Sequence, residues 1–211
     1  MNKKGVLIVI SGFSGVGKGT VVRKLVEKHG YSLSVSATTR KPRPGEVDGR
    51  DYHFKTVAEF ENLIDYNGFI EWAQYVENYY GTPRKFVEEE LAAGHNVILE
   101  IEVQGAMNIK QQYEDAVLIF ITAPDARTLK ERLEGRGTED QKVIAKRLKR
   151  AYEETDDMPC YDYLVVNDDL DTCVEHVHAI ILAENFKTVK NQGYISEMKE
   201  ELLQIRKETA L

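Results

Sequence analysis

Unbroken apolar runs predict buried strands over residues 6–10, 96–101, Val117–Thr122 and Tyr163–Val166. Hydrophobicity that does not alternate belongs to strands covered on both faces, as in a parallel sheet. A fifth, weaker and more polar strand is expected over 32–36. Between these runs apolar positions recur at the helical period. One helix is expected over about 19–29, stopped by Gly30 in the left-handed conformation that ends many helices. Thr56-Val57-Ala58-Glu59 reads as a capping box, with Val57, Phe60, Leu63 and Ile64 on one face of the helix it opens. Thr82 is the expected N-cap and Pro83 the first residue of a third helix, which ends near Gly94.

Two charged helices follow, over about 125–134 and 139–154, joined by Gly135-Arg136-Gly137-Thr138. Leu129 and Leu133, then Val143, Ile144, Leu148 and Ala151, give each a narrow apolar stripe, so the pair is expected to be a thinly attached flap. A long helix over about 171–187 turns Val174, Val177, Ile180 and Ile181 to the sheet. After Asn191-Gln192-Gly193 a last amphipathic helix presents Met198, Leu202 and Ile205. Strands alternating with helices indicate a doubly wound α/β fold. Residues 34–82 break that rhythm, and their prolines and glycines favour short strands and turns.

The first strand runs into Gly12-Phe13-Ser14-Gly15-Val16-Gly17-Lys18-Gly19-Thr20, and a helix begins at once. Strand, glycine-rich turn, lysine and helix together make a phosphate-binding P-loop. Glycines let successive N–H groups converge into a nest for anionic oxygens, and the helix adds its positive end. Lys18 would reach the β- and γ-phosphates. The residue after it, Gly19, has no hydroxyl. Either Thr20 meets phosphate or metal from one position further on, or water completes a metal shell.

At 211 residues one compact unit is expected. A net charge of −7 argues against general nucleic-acid binding, though a few local arginines can still dominate one cleft. Cys160 and Cys173 fit no metal-ligand spacing and point to a reducing compartment. No apolar run approaches the ~20 residues of a membrane span. The amino terminus leads straight into the first strand, so no signal peptide is expected and a cytoplasmic location follows. Arg40 and Arg43 bracket a proline-fixed turn in Ser36-Ala37-Thr38-Thr39-Arg40-Lys41-Pro42-Arg43, and planar guanidinium groups suit bidentate phosphate contacts. Beside a P-loop they are candidates for a second phosphate site.

These residues, together with Gly49-Arg50-Asp51-Tyr52-His53-Phe54, Phe69-Ile70-Glu71-Trp72-Ala73, Asn78-Tyr79-Tyr80-Gly81-Thr82, Glu100-Ile101-Glu102-Val103-Gln104-Gly105, Arg132-Leu133-Glu134-Gly135-Arg136-Gly137-Thr138 and Val166-Asn167-Asp168, resemble guanylate kinase over about residues 5–187. The resemblance implies a single domain over 1–190 and a C-terminal helix over 191–211. The domain would comprise a core (1–33, 95–125, 158–190) with a parallel five-stranded sheet, an inserted mixed β subdomain for GMP (34–94) and a helical lid (126–157). It implies transfer of a phosphoryl group from ATP to GMP or dGMP with Mg²⁺, in a monomer or homodimer. By resemblance, the ATP side is the loop from Gly12 to Thr20 with Arg132, Arg136 and Asn167, the last near adenine. Ser36, Arg40, Arg43, Tyr52, Glu71, Tyr80, Thr82 and Glu102 make the GMP side, and Lys18, Arg40, Arg136 and Arg147 neutralise the transferred group. Arg127 and Arg150 are expected to be solvated helix charges.

Glu71 is similar to the family's guanine reader: a carboxylate accepts the N1–H and N2 amino protons that adenine cannot offer. Two positions depart from a common pattern. Glu102 stands where Asp is frequent, so it either reads guanine or acts through water on magnesium, and Glu100 is an alternative buried structural acid. Phe13 replaces a frequent Pro, with little consequence expected because loop backbone atoms do the binding. Two other readings remain: a guanylate-kinase-like scaffold domain that binds phosphopeptides, and a kinase for another phosphorylated acceptor such as a ribose phosphate. The intact Lys18 and loop glycines speak against the first, and Glu71 with Ser36 and Thr82 against the second.

Overall fold

The computed structural model describes residues 4–75, 77–135 and 141–209. The chain runs β1 (Leu7–Gly12), α1 (Lys18–His29), β2 (Ser32–Leu33), β3 (Ala37–Thr38), β4 (His53–Phe54), α2 (Val57–Asp65), β5 (Phe69–Tyr75), β6 (Asn78–Pro83), α3 (Arg84–Ala92), β7 (Val97–Glu100), α4 (Val103–Gln112), β8 (Val117–Thr122), α5 (Ala126–Glu134), α6 (Gln141–Glu154), β9 (Tyr163–Val166), α7 (Leu170–Asn185) and α8 (Gln192–Thr209). Five strands form one sheet in the order β2-β7-β1-β8-β9, every neighbouring pair parallel. The weak second strand shortens to Ser32–Leu33, because its polar continuation leaves the sheet.

Both faces of that sheet are covered, which explains the unbroken hydrophobicity of its strands. From β1, Ile8 and Ile10 point into a core with Val21, Val22 and Leu25 of α1 and Val174, Val177 and Ile181 of α7. Leu7 and Val9 point the other way, toward Val87 and Leu91 of α3 and Ala106 and Ile109 of α4. At the C-terminal edge β1 stands between β7 and β8, whose connections leave on opposite sides, and a crevice opens there.

Residues 34–82 build a second sheet in the order β4-β3-β6-β5, mixed in direction, with α2 closing its small core through Phe60 on Ala37 and Phe69. The capping box is present: Thr56 accepts from the Glu59 amide and Glu59 from the Thr56 amide. Thr82 does not cap the third helix. It lies in β6, Pro83 takes the N-cap position, and the helix starts at Arg84. The cause is a competing partner across the strands, since the Thr82 hydroxyl donates to Glu71 at 2.8 Å.

The charged helices are also more firmly held than a thin flap. Leu129 and Leu133 of α5 and Ile144 and Ala151 of α6 are buried in the same core cluster as Phe13 and Val16. A narrow stripe suffices because it docks on the apolar underside of the glycine loop.

Candidate active site

Gly17 has φ 92°, a left-handed value that turns the loop into α1, and Thr20 and Val21 both donate to its carbonyl. The Phe13 ring is buried edge-on against Phe120, with centroids 4.9 Å apart, so the departure at this position anchors the loop in the core. Asn167 is buried and donates from Nδ2 to the Val16 carbonyl at 2.7 Å, tying the loop to the end of β9. Lys18 begins α1, and its ammonium donates to the carbonyls of Gly12 (2.6 Å) and Phe13 (3.2 Å). That places a positive charge at the mouth of the nest.

The loop faces a cleft of about 490 Å³ whose walls come from both sheets, the start of α4 and α6. Ser14, Lys18, Ser36, Arg40, Arg43, Tyr52, Glu71, Tyr80, Glu102 and Arg147 all line it. The P-loop lysine and the arginine pair 22 and 25 positions later therefore share one cavity. Arg147 reaches from α6 to the Ser14 hydroxyl of the loop. Arg40 lies over the Tyr52 ring, 5.3 Å from its centroid, and the Tyr52 and Tyr80 rings meet edge to face at 6.2 Å. Two phenols and a guanidinium thus converge on one corner, and burial raises the Tyr52 phenol above its ordinary range, so it stays a proton donor.

Glu71 sits in the wall opposite. Its position follows from a bulge in β5: the register passes from Phe69 opposite Pro83 to Glu71 opposite Thr82, leaving Ile70 as the extra residue. Ile70 fills the core under α3, and Glu71 turns inward beside Thr82. Glu71 is 7 % exposed, and burial raises its carboxyl to about 7 against the lowering effect of the Thr82 hydroxyl. Space for it exists because residue 105 is glycine; a β-carbon there would lie 2.8 Å from Glu71 Oε2.

Some expected residues lie elsewhere. Arg132 is tied outside the cleft, donating to the carbonyls of Asn167 (2.8 Å) and Asp168 (3.5 Å). Thr20 is exposed on the first turn of α1, and Thr82 stands behind Glu71 rather than in the cavity. Arg136 falls outside the described residues. Arg150 is not a solvated helix charge: it lines the cleft and pairs with Glu154 at 2.8 Å and Glu102 at 3.8 Å.

Two acids at or beside the cleft, Glu46 and Glu154, are given no role by the sequence. Glu46 receives Arg40 at 2.8 and 3.0 Å and the Arg43 amide at 2.7 Å, which folds the turn between the two arginines, and Arg40 holds its carboxyl below the usual range. An acid three residues after Arg43 beyond Pro-Gly was the available signal. Burial raises Glu154, against the lowering effect of Arg150 four residues earlier on α6. Glu100 is raised mainly by burial, against Lys18, and its carboxylate oxygens come within 3.4 and 3.5 Å of where a Gly19 β-carbon would stand.

A parallel α/β sheet led by a P-loop, facing a second cationic pocket across one cleft, defines a nucleoside monophosphate kinase. Comparison with known proteins narrows the class. The family model described as guanylate kinase matches residues 4–184. A guanylate kinase of Caldanaerobacter subterraneus subsp. tengcongensis is 46% identical over 202 residues, 95% of this chain and 98% of that protein. One of Lactococcus lactis subsp. lactis is 52% identical over 188 residues, covering 89% and 92%. The crystal structure of guanylate kinase from Anaplasma phagocytophilum superposes with a TM-score of 0.75 at 35% identity, covering 90% of each chain. The chain belongs to the guanylate kinase family, whose known reaction is ATP-dependent phosphorylation of GMP.

Proposed function

We propose that the cleft holds GMP and ATP phosphates end to end: the P-loop with Lys18 grips the donor, and Arg40, Arg43, Tyr52 and Tyr80 grip the acceptor. The observation that carries this is the single cavity shared by Lys18, both arginines and the buried Glu71. In this reading 34–94 is the GMP-binding part, 126–157 the lid and the rest of 1–190 the core. Glu71 accepts from guanine N1–H and N2–H, with Thr82 fixing one of its oxygens and Gly105 leaving it room. Adenine would present a lone pair to that carboxylate, and a buried polar mismatch of this kind discriminates by up to ~10⁴-fold. Either GMP or dGMP fits this account, since no residue in it depends on the 2′-hydroxyl.

The acceptor needs no strong base, because a phosphate monoester with second pKa near ~6 is mostly a dianion at neutral pH. The remaining barrier is electrostatic and positional. Lys18 and Arg147 both reach the loop from the cleft, and Arg40 carries charge to the acceptor pocket. α6 covers the cleft and limits water.

The oxygen donors beside Lys18 suit a hard cation. Among the described residues no three His, Cys, Asp or Glu side chains form a protein-only metal cluster, so Mg²⁺ would be held chiefly by substrate phosphates. Glu100 and Glu102, which line the cleft with Lys18, would complete its shell through water. When bound it offsets charge on the β- and γ-oxygens. Among the described residues no helix is long and apolar enough to cross a membrane, and both cysteines are free, which supports a cytoplasmic enzyme.

ADP release measured with GMP, dGMP, AMP, UMP and ribose phosphates as acceptors tests the reading. Turnover confined to the two guanine nucleotides is expected. Equal turnover of AMP would remove guanine recognition, and binding of a phosphopeptide without any turnover would favour a scaffold role.

A further inference from the structure

Residues 39–52 join β3 to β4 without a strand or helix, yet they carry both Arg40 and Arg43. Long, rotamer-rich side chains on an irregular segment lose much freedom when they grip a phosphate, and affinity falls accordingly. Glu46 has the geometry of a device that orders them beforehand.

Arg43-Pro44-Gly45-Glu46 has the pattern of a type II turn. Pro44 sets the first corner, Gly45 has φ 89°, and the Glu46 amide donates to the Arg43 carbonyl at 3.1 Å. The turn brings the Glu46 carboxylate back onto Arg43, whose amide donates to Oε2 at 2.7 Å. The same carboxylate takes two bonds from Arg40 Nη2, at 2.8 and 3.0 Å, and the two side chains are only 15 and 18% exposed. Arg40 Nη1 donates to the Lys41 carbonyl at 2.8 Å, and the Tyr52 and Phe54 rings lie 5.3 and 5.9 Å from the guanidinium carbon. Nε takes no part in these bonds and remains for a phosphate oxygen. Asp48 and Asp51, the other acids of the segment, tie its second half through the Phe54 and Val47 amides.

On charge alone an acid beside a phosphate pocket is a fault, since it offsets one arginine and repels a dianion. Geometry argues the reverse. A shielded, doubly bonded ion pair fixes the direction of a guanidinium, and freedom already lost in the free protein is not lost again on binding. We propose that Glu46 is a positioning residue for the phosphoryl acceptor, aiming Arg40 and presenting Arg43 before the GMP phosphate arrives. This rests on the reading of Arg40 and Arg43 as the acceptor's phosphate grip.

Glu46→Ala should raise the KM for GMP about tenfold or more, with the KM for ATP unchanged. Guanosine carries no phosphate, so its Ki as a competitor of GMP should not move. That readout separates positioning from a general loosening of the subdomain, which would weaken the nucleoside as well. Glu46→Gln keeps the shape and removes the charge; GMP should bind more weakly, whereas simple repulsion predicts tighter binding. Arg40→Met is the control for the underlying reading, and an unchanged KM for GMP in that variant would remove the acceptor site and the proposal with it. Where Arg40→Met is impaired, the proposal alone is overturned by an unchanged or lower KM for GMP in Glu46→Ala, by tighter GMP binding in Glu46→Gln, or by a guanosine Ki that climbs in step with the KM.

Discussion

Glu71 shows how one carboxylate can be costly to bury and still suit a task. Its ordinary pKa lies near 4.5, and burial raises it to about 7 in the folded chain. A raised folded pKa means that the native state holds a proton the unfolded chain has released. Stability from this group is therefore complete below about pH 4.5 and is lost as pH rises through about 7, a loss of roughly 2–4 kcal/mol. Glu71→Gln should flatten that segment of the melting-temperature profile between pH 5 and 8. Guanine protons favour the ionised form, so wild-type GMP affinity should weaken below pH 7 more steeply than that of the variant. Calorimetry of both proteins on either side of pH 7 checks this, and equal slopes would take Glu71 out of the base site. Gly105→Ala separates binding from folding. Alanine favours the α4 helix by about 1 kcal/mol, yet its β-carbon meets Glu71 Oε2. The melting temperature should hold or rise while the KM for GMP climbs about tenfold or more and the KM for ATP stays put.

At the scale of elements, the junction of β1 and α1 concentrates the chemistry. The strand is locked between two parallel neighbours, and the helix must start where the strand ends, so the loop has little freedom beyond its glycines. Lys18 is then delivered by helix geometry rather than by its own flexible stem. Lys18→Ala should lower kcat by ~10²–10³-fold, the size of loss seen when one preorganised charge donor is removed, with GMP affinity nearly intact. Stopped-flow turnover with separate equilibrium GMP binding would show whether the lysine serves the donor alone. The β5 bulge does the same work on the acceptor side: it reverses the alternation of the strand, sending Ile70 into the core and Glu71 into the cleft.

Across the whole molecule, the helical segment over the cleft and the main core are mechanically one body at their junction. Leu133 is 1% exposed, and its Cδ2 lies 2.7 Å from where a Gly15 β-carbon would be. Loop and α5 are therefore packed together, and a change in either is felt by the other. Leu133→Ala should cost about 2–4 kcal/mol in chemical denaturation and lower kcat as the loop loses its backing. A stability loss near zero would restore the picture of a thinly attached flap. Arg147, bridging from α6 to Ser14, gives the same coupling a polar component.

Short-range order was legible from the residues themselves. The parallel strands, the P-loop, the capping box at Thr56 and the left-handed stop at Gly30 follow from period, β-branching and glycine placement, which act over a few positions. α4 left little trace, because Gly105 and Asn108 dilute its pattern and no side chain caps its start. What tertiary structure alone decided were choices between partners far apart in sequence. Thr82 could cap a helix or bind a carboxylate, and the bulge that brings Glu71 alongside it settled the matter. Arg150 could face solvent, but Glu102 and Glu154 draw it into the cleft. Arg40 and Lys18 share a cavity because two sheets separated in the chain meet across one edge. A polar side chain takes the partner that folding places within hydrogen-bond reach, and no local spacing encodes that distance.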